Sequence, residues 1–172
     1  MNTRLAAAIR NIPDFPQPGI LFKDITPILG DPGLFHEAVE LFAARHQGTG
    51  VTNVAAIEAR GFIFGAAIAF RLGIGFVPIR KKGKLPFKTF DETYDLEYGS
   101  ASISVHADAF KPGEKVLLID DLLATGGTAA AAARLVERAG GKVAAIEFLI
   151  ELTFIKGREK LAGHPVFAAI AV

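Results

Sequence analysis

The chain has 172 residues, of which 51% are hydrophobic and 22% are charged, and its formal net charge is +1. This length and composition predict one compact domain with a full hydrophobic core and exclude a disordered chain. The near-neutral charge gives no reason to expect a nucleic-acid partner. The absence of cysteine excludes disulfides and thiolate metal sites, and no run reaches the ~18 apolar residues that a membrane span needs.

The first 45 residues predict a helix, an irregular stretch and a second helix. Residues 2–12 have the pattern of a short helix that stops at Pro13, whereas residues 15–28 contain three prolines and a glycine, which favour irregular structure. Asp31 is an acidic N-cap residue followed by proline, and apolar residues then repeat at helical spacing as far as Arg45.

Strands and helices alternate in the middle of the chain. Residues 51–57 and 75–79 are predicted strands, and the apolar stretch 61–72 between them is a predicted helix. Residues 80–91 are polar, basic and interrupted by glycine and proline, which predicts a loop. Residues 96–105 predict two extended segments, antiparallel to each other, around a glycine.

The most informative segment joins a strand to a helix. Residues 116–119 predict a buried strand, Asp120 and Asp121 stand at its end, and the small residues 124–128 lead into an alanine-rich helix at 129–136. Ligands bind at this edge of an α/β sheet, and a helix N-terminus with glycines suits a phosphate. The two carboxylates suit sugar hydroxyls or a magnesium-bound ligand, although paired aspartates can also simply cap a helix. The segment is not a P-loop, because no lysine follows its last glycine.

Two further predicted strands, 143–149 and 166–172, complete the alternation. Strands that alternate with helices predict an α/β fold with a parallel sheet covered on both faces.

Two other groups of residues suit an anion. Arg60 follows a predicted strand and precedes a glycine and a helix, which makes a second anion cradle, although an arginine there can be purely structural. Arg80, Lys81 and Lys84 form a basic cluster after the next strand. Such a cluster alone is more often a solvated surface, but beside a diphosphate it supplies the charge that this group needs.

Six stretches of the chain resemble the type I phosphoribosyltransferases, and in particular the members that act on adenine. They follow the order found in that family and span most of the chain: FPQPGILFKDITPIL (15–29), IEARGFIFG (57–65), IRKKGKLP (79–86), YDLEYG (94–99), VLLIDDLLATGGT (116–128) and ELTFIKGREKL (151–161). The resemblance implies a single domain over residues 1–172, with a central parallel sheet flanked by helices, a small N-terminal hood at about 1–30 and a flexible loop at about 81–98.

The resemblance also implies the reaction. The enzyme is expected to transfer 5-phosphoribose from phosphoribosyl pyrophosphate (5-phospho-α-D-ribose 1-diphosphate) to adenine, giving AMP and diphosphate, a step of purine salvage. Mg²⁺ is the expected cofactor, held mainly through the substrate with no direct side-chain ligand. A cytoplasmic homodimer with no nucleic-acid or membrane partner is expected.

The same resemblance assigns roles to residues. Glu97 is the expected general acid/base for the adenine ring, although by itself it is an ordinary acid in a strand, and Asp121 is expected to favour a cationic ribose. The binding residues are, for ribose and the 5-phosphate, Asp120, Asp121, Ala124, Thr125, Gly126, Gly127 and Thr128; for diphosphate, Arg60, Arg80, Lys81 and Lys84; and for adenine, Leu21, Phe22 and Lys23. A bulky side chain at Gly127 is expected to block the phosphate. The family commonly has Asp and Ser where this chain has Glu58 and Ala59, which leaves the role of these two side chains open.

Two alternatives remain at this point. The first is the same transfer to another base, such as xanthine or guanine. The second is a non-catalytic, ligand-sensing regulator on the same fold, which would need a nucleic-acid-binding surface. The sequence has no extra domain and no basic stripe for such a surface, and it keeps the basic loop residues.

Overall fold

The computed structural model describes residues 3–95 and 99–172, and within these ranges the chain forms five α-helices and nine strands. In chain order they are α1 (Thr3–Ala8), β1 (Arg10–Pro13), β2 (Leu21–Asp24), α2 (Thr26–Gly30), α3 (Pro32–His46), β3 (Asn53–Ile57), α4 (Arg60–Leu72), β4 (Gly75–Lys81), β5 (Thr89–Asp95), β6 (Ser100–His106), β7 (Lys115–Leu123), α5 (Gly127–Arg138), β8 (Lys142–Glu151) and β9 (Val166–Ala171). Short 3-10 helices occupy Thr153–Ile155 and Gly157–Leu161.

Seven strands form the central sheet, in the order β5-β6-β4-β3-β7-β8-β9. Strands β4, β3, β7, β8 and β9 are parallel, whereas β6 runs antiparallel to both β4 and β5. The predicted α/β fold is therefore confirmed, with one antiparallel strand near the edge of a mostly parallel sheet.

Helices cover both faces of this sheet. Successive side chains of a strand point to opposite faces, so Leu117 packs with the α3 and α4 residues Phe42 and Phe64, whereas Leu118 packs with Leu135 of α5. Burial on both faces is why the central strands are continuous apolar runs rather than alternating ones.

The second predicted helix is confirmed together with its N-cap. The Asp31 carboxylate accepts a hydrogen bond from the backbone N–H of Leu34 at 2.8 Å, and Pro32 occupies the first helical position, where its missing N–H costs nothing. None of the helices in the described ranges is long and apolar enough to cross a membrane.

The N-terminal prediction is wrong in two places. The first helix ends at Ala8 instead of Ile12, because residues 10–13 form β1, which pairs antiparallel with β2 in the stretch predicted to be irregular. The prolines that suggested irregular structure lie outside β2: two are in the connection between the strands and the third is in the first turn of α2. Proline is tolerated in both of those settings.

The predicted loop at 80–91 is also too long. Strand β4 continues to Lys81 and β5 begins at Thr89, so only residues 82–88 connect them. Residues 100–105 belong to β6, which is antiparallel to β5. The segment 96–98, which was predicted to be their partner, lies outside the described residues. Strand β5 was not predicted, because its mostly polar and only partly buried side chains lack the apolar pattern of a buried strand.

Candidate active site

Two distant motifs meet because β3 and β7 are parallel neighbours at the centre of the sheet. Ala56 of β3 is in register with Ile119 of β7, so the residues that follow β3 lie beside Asp120. This places the turn before α4 and the two aspartates at one position on the carboxyl edge.

The aspartates lie within β7 and not after it, which corrects the predicted strand end. The ladder with β8 continues through Leu122 and Leu123, because β8 is long enough to pair with them. Consecutive residues of a strand face opposite sides, so the two carboxylates diverge. The backbone N–H of Asp121 donates to Asp120 Oδ1 at 2.9 Å.

Arg60 lies against the second aspartate. Its Nε is 2.9 Å from Asp121 Oδ2, and the Asp121 side chain is 7% exposed while that of Arg60 is 37% exposed. The contact is a close ion pair without hydrogen-bond alignment, since Asp121 Oδ2 has no aligned donor among the described residues. Asp121 Oδ2 therefore keeps the capacity to accept a hydrogen bond from a ligand.

Burial makes both aspartates weaker acids. It raises the pKa of Asp120 well above its ordinary value, and the charge of Asp121 raises it further. Burial also raises the pKa of Asp121, and the nearby Arg60 guanidinium opposes that rise. Two adjacent carboxylates in a partly dry site cannot both be ionised cheaply, so the site favours a cation or hydrogen-bond donors as a ligand.

The start of α4 packs so tightly on β7 that only glycine fits. A Cβ on Gly61 would lie 2.9 Å from Asp120 Oδ1 and 3.1 Å from the Ile119 carbonyl oxygen. This close approach brings Arg60 to the aspartates.

The small-residue loop after β7 encloses a cavity of about 80 Å³ at the N-terminus of α5. Gly126 adopts φ +76°, and its carbonyl accepts the first helical hydrogen bond from Ala130 at 2.9 Å. The cavity is lined by Asp120, Leu122, Leu123, Ala124, Thr125, Gly126, Thr128, Ala129 and Phe148. Four of the five predicted loop residues therefore face one small space that free helical N–H groups also border.

Gly127, the fifth loop residue, faces elsewhere. A Cβ on Gly127 would make ordinary contacts, 3.4 Å from the Asp95 carbonyl oxygen and 3.5 Å from the Tyr94 ring. The position where a side chain does not fit is Gly126, at which a Cβ would lie 2.2 Å from the carbonyl oxygen of Gly157. The sequence alone assigns no role to Gly157, which is marked only as a glycine within ELTFIKGREKL.

The basic cluster is held by Glu58, the residue whose role the sequence left open. Its carboxylate accepts two hydrogen bonds from Arg80, Nε to Oε2 at 3.2 Å and Nη2 to Oε1 at 3.1 Å, and one from the backbone N–H of Lys81 at 3.1 Å. Arg80 Nη1 also donates to the Lys84 carbonyl at 3.1 Å. The hydrogen bonds from Arg80 lower the pKa of Glu58. The Lys81 and Lys84 side chains are exposed.

The N-terminal hairpin reaches the same place through Phe22 of β2. The Arg60 guanidinium carbon is 5.1 Å from the centroid of the Phe22 ring, and Phe15 packs edge-on against Phe22 with centroids 5.1 Å apart. Leu21 is half exposed, and Lys23 Nζ donates to Asn11 Oδ1 at 2.8 Å. The three residues predicted for adenine thus lie on one short strand, and one of them contacts the arginine of the carboxyl edge.

Glu97, the predicted general acid/base, lies outside the described residues. In the described ranges, no three His, Cys, Asp or Glu side chains converge as metal ligands.

Comparisons with known proteins agree on one family. A family model for the phosphoribosyl transferase domain matches residues 27–161. An adenine phosphoribosyltransferase from Roseiflexus sp. strain RS-1 is 56% identical over 170 residues, which cover 99% of both chains. The crystal structure of an adenine phosphoribosyltransferase from Thermoanaerobacter pseudethanolicus has a TM-score of 0.95 at 51% identity, with 98% of each chain covered. That of the Saccharomyces cerevisiae enzyme, complexed with an imino-altritol bisphosphate and adenine, has a TM-score of 0.92 at 41% identity over 96% of each chain.

Proposed function

Because the chain belongs to the phosphoribosyltransferase family, and within it to the adenine phosphoribosyltransferases, we propose that it transfers the 5-phosphoribosyl group of phosphoribosyl pyrophosphate to adenine. The products are AMP and diphosphate. In the reaction, the bond from the anomeric carbon to the diphosphate oxygen breaks and the electron pair leaves with diphosphate. The bond from that carbon to a ring nitrogen of adenine forms, and the proton of this nitrogen is released.

The observation that carries this proposal is that Arg60 contacts two parts of the site. It touches Asp121 on one side and Phe22 on the other, so sites for ribose, diphosphate and base meet around one side chain. A transfer between a base and a ribosyl diphosphate needs this convergence, because its reacting atoms must lie ~3–3.5 Å apart.

Asp120 and Asp121 hold the ribose hydroxyls. Ionised carboxylates accept hydrogen bonds from hydroxyl groups, and their negative charge favours the positive charge that develops on the ribose ring as diphosphate leaves. Burial strengthens that stabilisation, because water does not screen it.

Arg60 changes partner during binding. In the free protein it neutralises Asp121, and in the complex its guanidinium turns to the diphosphate, where Arg80, Lys81 and Lys84 add further positive charge. Glu58 fixes Arg80 with two hydrogen bonds, so this arginine approaches the leaving group in one orientation.

The loop 124–128 holds the 5-phosphate. Its cavity lies at the N-terminus of a 12-residue helix, where unpaired backbone N–H groups and the positive end of the helix dipole attract an anion. The hydroxyls of Thr125 and Thr128 border the same cavity and supply additional donors.

Magnesium fits the donor set of this edge. The two carboxylates offer hard oxygen donors, and the Asp121 oxygen without an aligned donor suits a magnesium-bound water. When bound with the substrate, the ion neutralises charge on the diphosphate and makes it a better leaving group. Asp120 and Asp121 would contact the hydrated ion, and the diphosphate and water would supply most of its ligands.

Adenine lies in the slot formed by Leu21, Phe22 and Lys23. An apolar strand edge with backbone donors and acceptors suits a neutral purine, and the Phe22 ring supplies a stacking surface. Glu97 takes the proton of the adenine ring. Residues 1–30 form the hood that carries this slot. Residues 82–88, the part of the predicted loop that connects β4 to β5, close over the site to exclude water.

We further propose that the enzyme is a cytoplasmic homodimer. Ile63, Ala67 and Phe70 lie on one face of α4, and Phe70 is 90% exposed, which is unusual for a large aromatic side chain. A second copy of the chain would bury this face. A cytoplasmic location follows from the substrate, because an ester with several negative charges does not cross membranes unaided.

One assay tests the reaction. The protein is incubated with phosphoribosyl pyrophosphate, Mg²⁺ and one base at a time (adenine, guanine, hypoxanthine or xanthine), and the nucleotide formed is measured by chromatography. We expect AMP from adenine and no comparable product from the other bases. Faster product formation with guanine or xanthine would identify that base as the substrate instead of adenine. The absence of product with every base would overturn the proposal.

A further inference from the structure

Strand β5 lies at the edge of the seven-stranded sheet, and a charged side chain on each of its faces forms ion pairs with neighbouring segments. Asp91 accepts a hydrogen bond from Ser104 Oγ at 2.8 Å and pairs with Lys82 Nζ at 3.1 Å. Glu92 is the next residue and therefore points to the opposite face, where α5 packs.

Two arginines of α5 grip Glu92. Arg134 Nε donates to Glu92 Oε1 at 2.6 Å, and Arg138 Nη1 donates to Oε2 at 2.9 Å and to the Asp91 carbonyl at 2.8 Å. The two arginines are four residues apart, so they lie on the same face of the helix. The Glu92 side chain is only 19% exposed, so this cluster is partly shielded from water.

The same helix begins at the loop proposed to hold the 5-phosphate. Its first residue, Gly127, lies against the end of β5, at Tyr94 and Asp95. Between these contacts and Arg134 is a cavity of about 370 Å³. Helix α5 is fixed in the core by buried residues such as Leu135, whereas among the described residues β5 pairs in the sheet only with β6. Of the two elements, β5 is therefore the one that the cluster positions.

We propose that Glu92 is a positioning residue for the reaction: Arg134 and Arg138 hold its carboxylate and thereby fix the end of β5 relative to the phosphate-loop helix. The chain runs from Asp95 into the segment that carries Glu97, so the inference rests on the proposed function and on the proton-transfer role of Glu97. Displacement of a reacting group by ~1 Å can reduce a rate ~100-fold, so a small shift of β5 would be measurable. A purely structural role would instead affect only stability or protect the sheet edge.

The first test compares Glu92→Gln with the parent protein. This variant keeps the size of the side chain and removes the charge that the arginines grip. We expect kcat to fall about tenfold while KM for phosphoribosyl pyrophosphate stays within about twofold, because an interaction that positions a reacting group acts on the chemical step. Arg134→Met should have the same effect, and Arg134→Lys, which keeps a charged donor, should recover part of kcat.

The matched control is Glu37→Gln. Glu37 pairs with Arg4 at 3.1 Å and its side chain is 28% exposed, so the variant breaks an ion pair of comparable exposure between two other helices. Its kinetic constants should equal those of the parent. A parent-like kcat in Glu92→Gln, or a loss matched by the loss of folded protein in thermal melts, would overturn the inference.

The second test is a cycle with Glu97→Gln. If Glu92 acts through the position of Glu97, then adding Glu92→Gln to Glu97→Gln should lower kcat by less than twofold more. A full, additive loss in the double variant overturns the inference and leaves the proposed role of Glu97 intact. A parent-like kcat for Glu97→Gln alone overturns that role, and the inference with it.

Discussion

The backbones of Gly126 and Gly157 are so close that neither position has room for a side chain. A Cβ on Gly126 would lie 2.2 Å from the Gly157 carbonyl oxygen, and a Cβ on Gly157 would lie 1.9 Å from the Ala124 carbonyl oxygen. Real Cβ atoms essentially never approach within 3.0 Å of another heavy atom. The short 3-10 helix that begins at Gly157 therefore supports the loop after β7 from behind.

We predict that Gly157→Ala weakens phosphate binding without touching the ligand. The added methyl group must push the loop out of place, which should raise the Kd for ribose 5-phosphate and for phosphoribosyl pyrophosphate at least tenfold. Overpacking of this kind costs ~1–3 kcal/mol, so most of the protein should stay folded. Calorimetry measures both affinities. Gly30→Ala is the control, because a Cβ there meets nothing within 4 Å. Unchanged affinity in Gly157→Ala would contradict a supporting role.

These glycines show which parts of the site can be predicted from the sequence. The sequence predicts the loop, because an apolar run, two acids and small residues before a helix have few other interpretations. The sequence could not show that Gly126 is the position without room for a side chain while Gly127 has ordinary contacts. That difference depends on Gly157, 31 residues after Gly126. The end of β7 was misplaced for a similar reason: the strand continues past the aspartates because its neighbour β8 does.

The ion pairs at the carboxyl edge of the sheet likewise could not be predicted from the sequence. Arg60 and Asp121 are 61 residues apart, and only the register between β3 and β7 brings them together. Glu58 departed from the family pattern and had no assigned role until the structure placed it on Arg80.

We predict that Arg60→Met raises KM for phosphoribosyl pyrophosphate at least tenfold. The variant removes a planar cation proposed to bind the diphosphate and leaves the buried Asp121 carboxylate without its partner. Arg60→Lys should recover only part of the affinity, because an ammonium group lacks the two-pronged geometry of the guanidinium. Steady-state kinetics measures both variants, with Arg4→Met as the control for loss of an exposed arginine that pairs with Glu37 instead of Asp121. A parent-like KM in Arg60→Met would remove this residue from the diphosphate site.

The connection between β4 and β5 should be the first site of trypsin cleavage. Residues 82–88 join the two strands, and Lys81, Lys82, Lys84 and Lys88 are all exposed. If this loop closes on the substrate, phosphoribosyl pyrophosphate with Mg²⁺ should slow cleavage there while cleavage at Lys142, an exposed lysine at the start of β8, keeps its rate. Mass spectrometry of the fragments over time gives both rates. Equal protection at both places, or none in the loop, would argue for a loop that does not close.

The last prediction concerns Asp120 and pH. Burial and the charge of Asp121 raise the pKa of Asp120 well above its ordinary value, so the folded protein keeps this proton at a pH where the unfolded chain has lost it. The stability that comes from this proton is fully present below about pH 4, the ordinary pKa range of aspartate, and is lost as the pH rises through the folded pKa. Above that pH the folded protein carries a partly buried charge that the unfolded chain would solvate fully.

Asp120→Asn should therefore be more stable than the parent, and the difference should grow as the pH is raised from 5 to 9. For a chain of this size each ~1 kcal/mol regained raises Tm by about 2–4 °C, so thermal melts across that range will resolve the effect. The exposed Asp108 provides the control for loss of a surface carboxylate, because a substitution at such a position changes stability by no more than about 0.5 kcal/mol. The same Asp120→Asn variant should lose transferase activity, since a neutral amide cannot stabilise a cationic ribose as a carboxylate does. If the stability difference is independent of pH, or if the variant is less stable throughout, the charge on Asp120 does not destabilise the folded protein as its surroundings indicate.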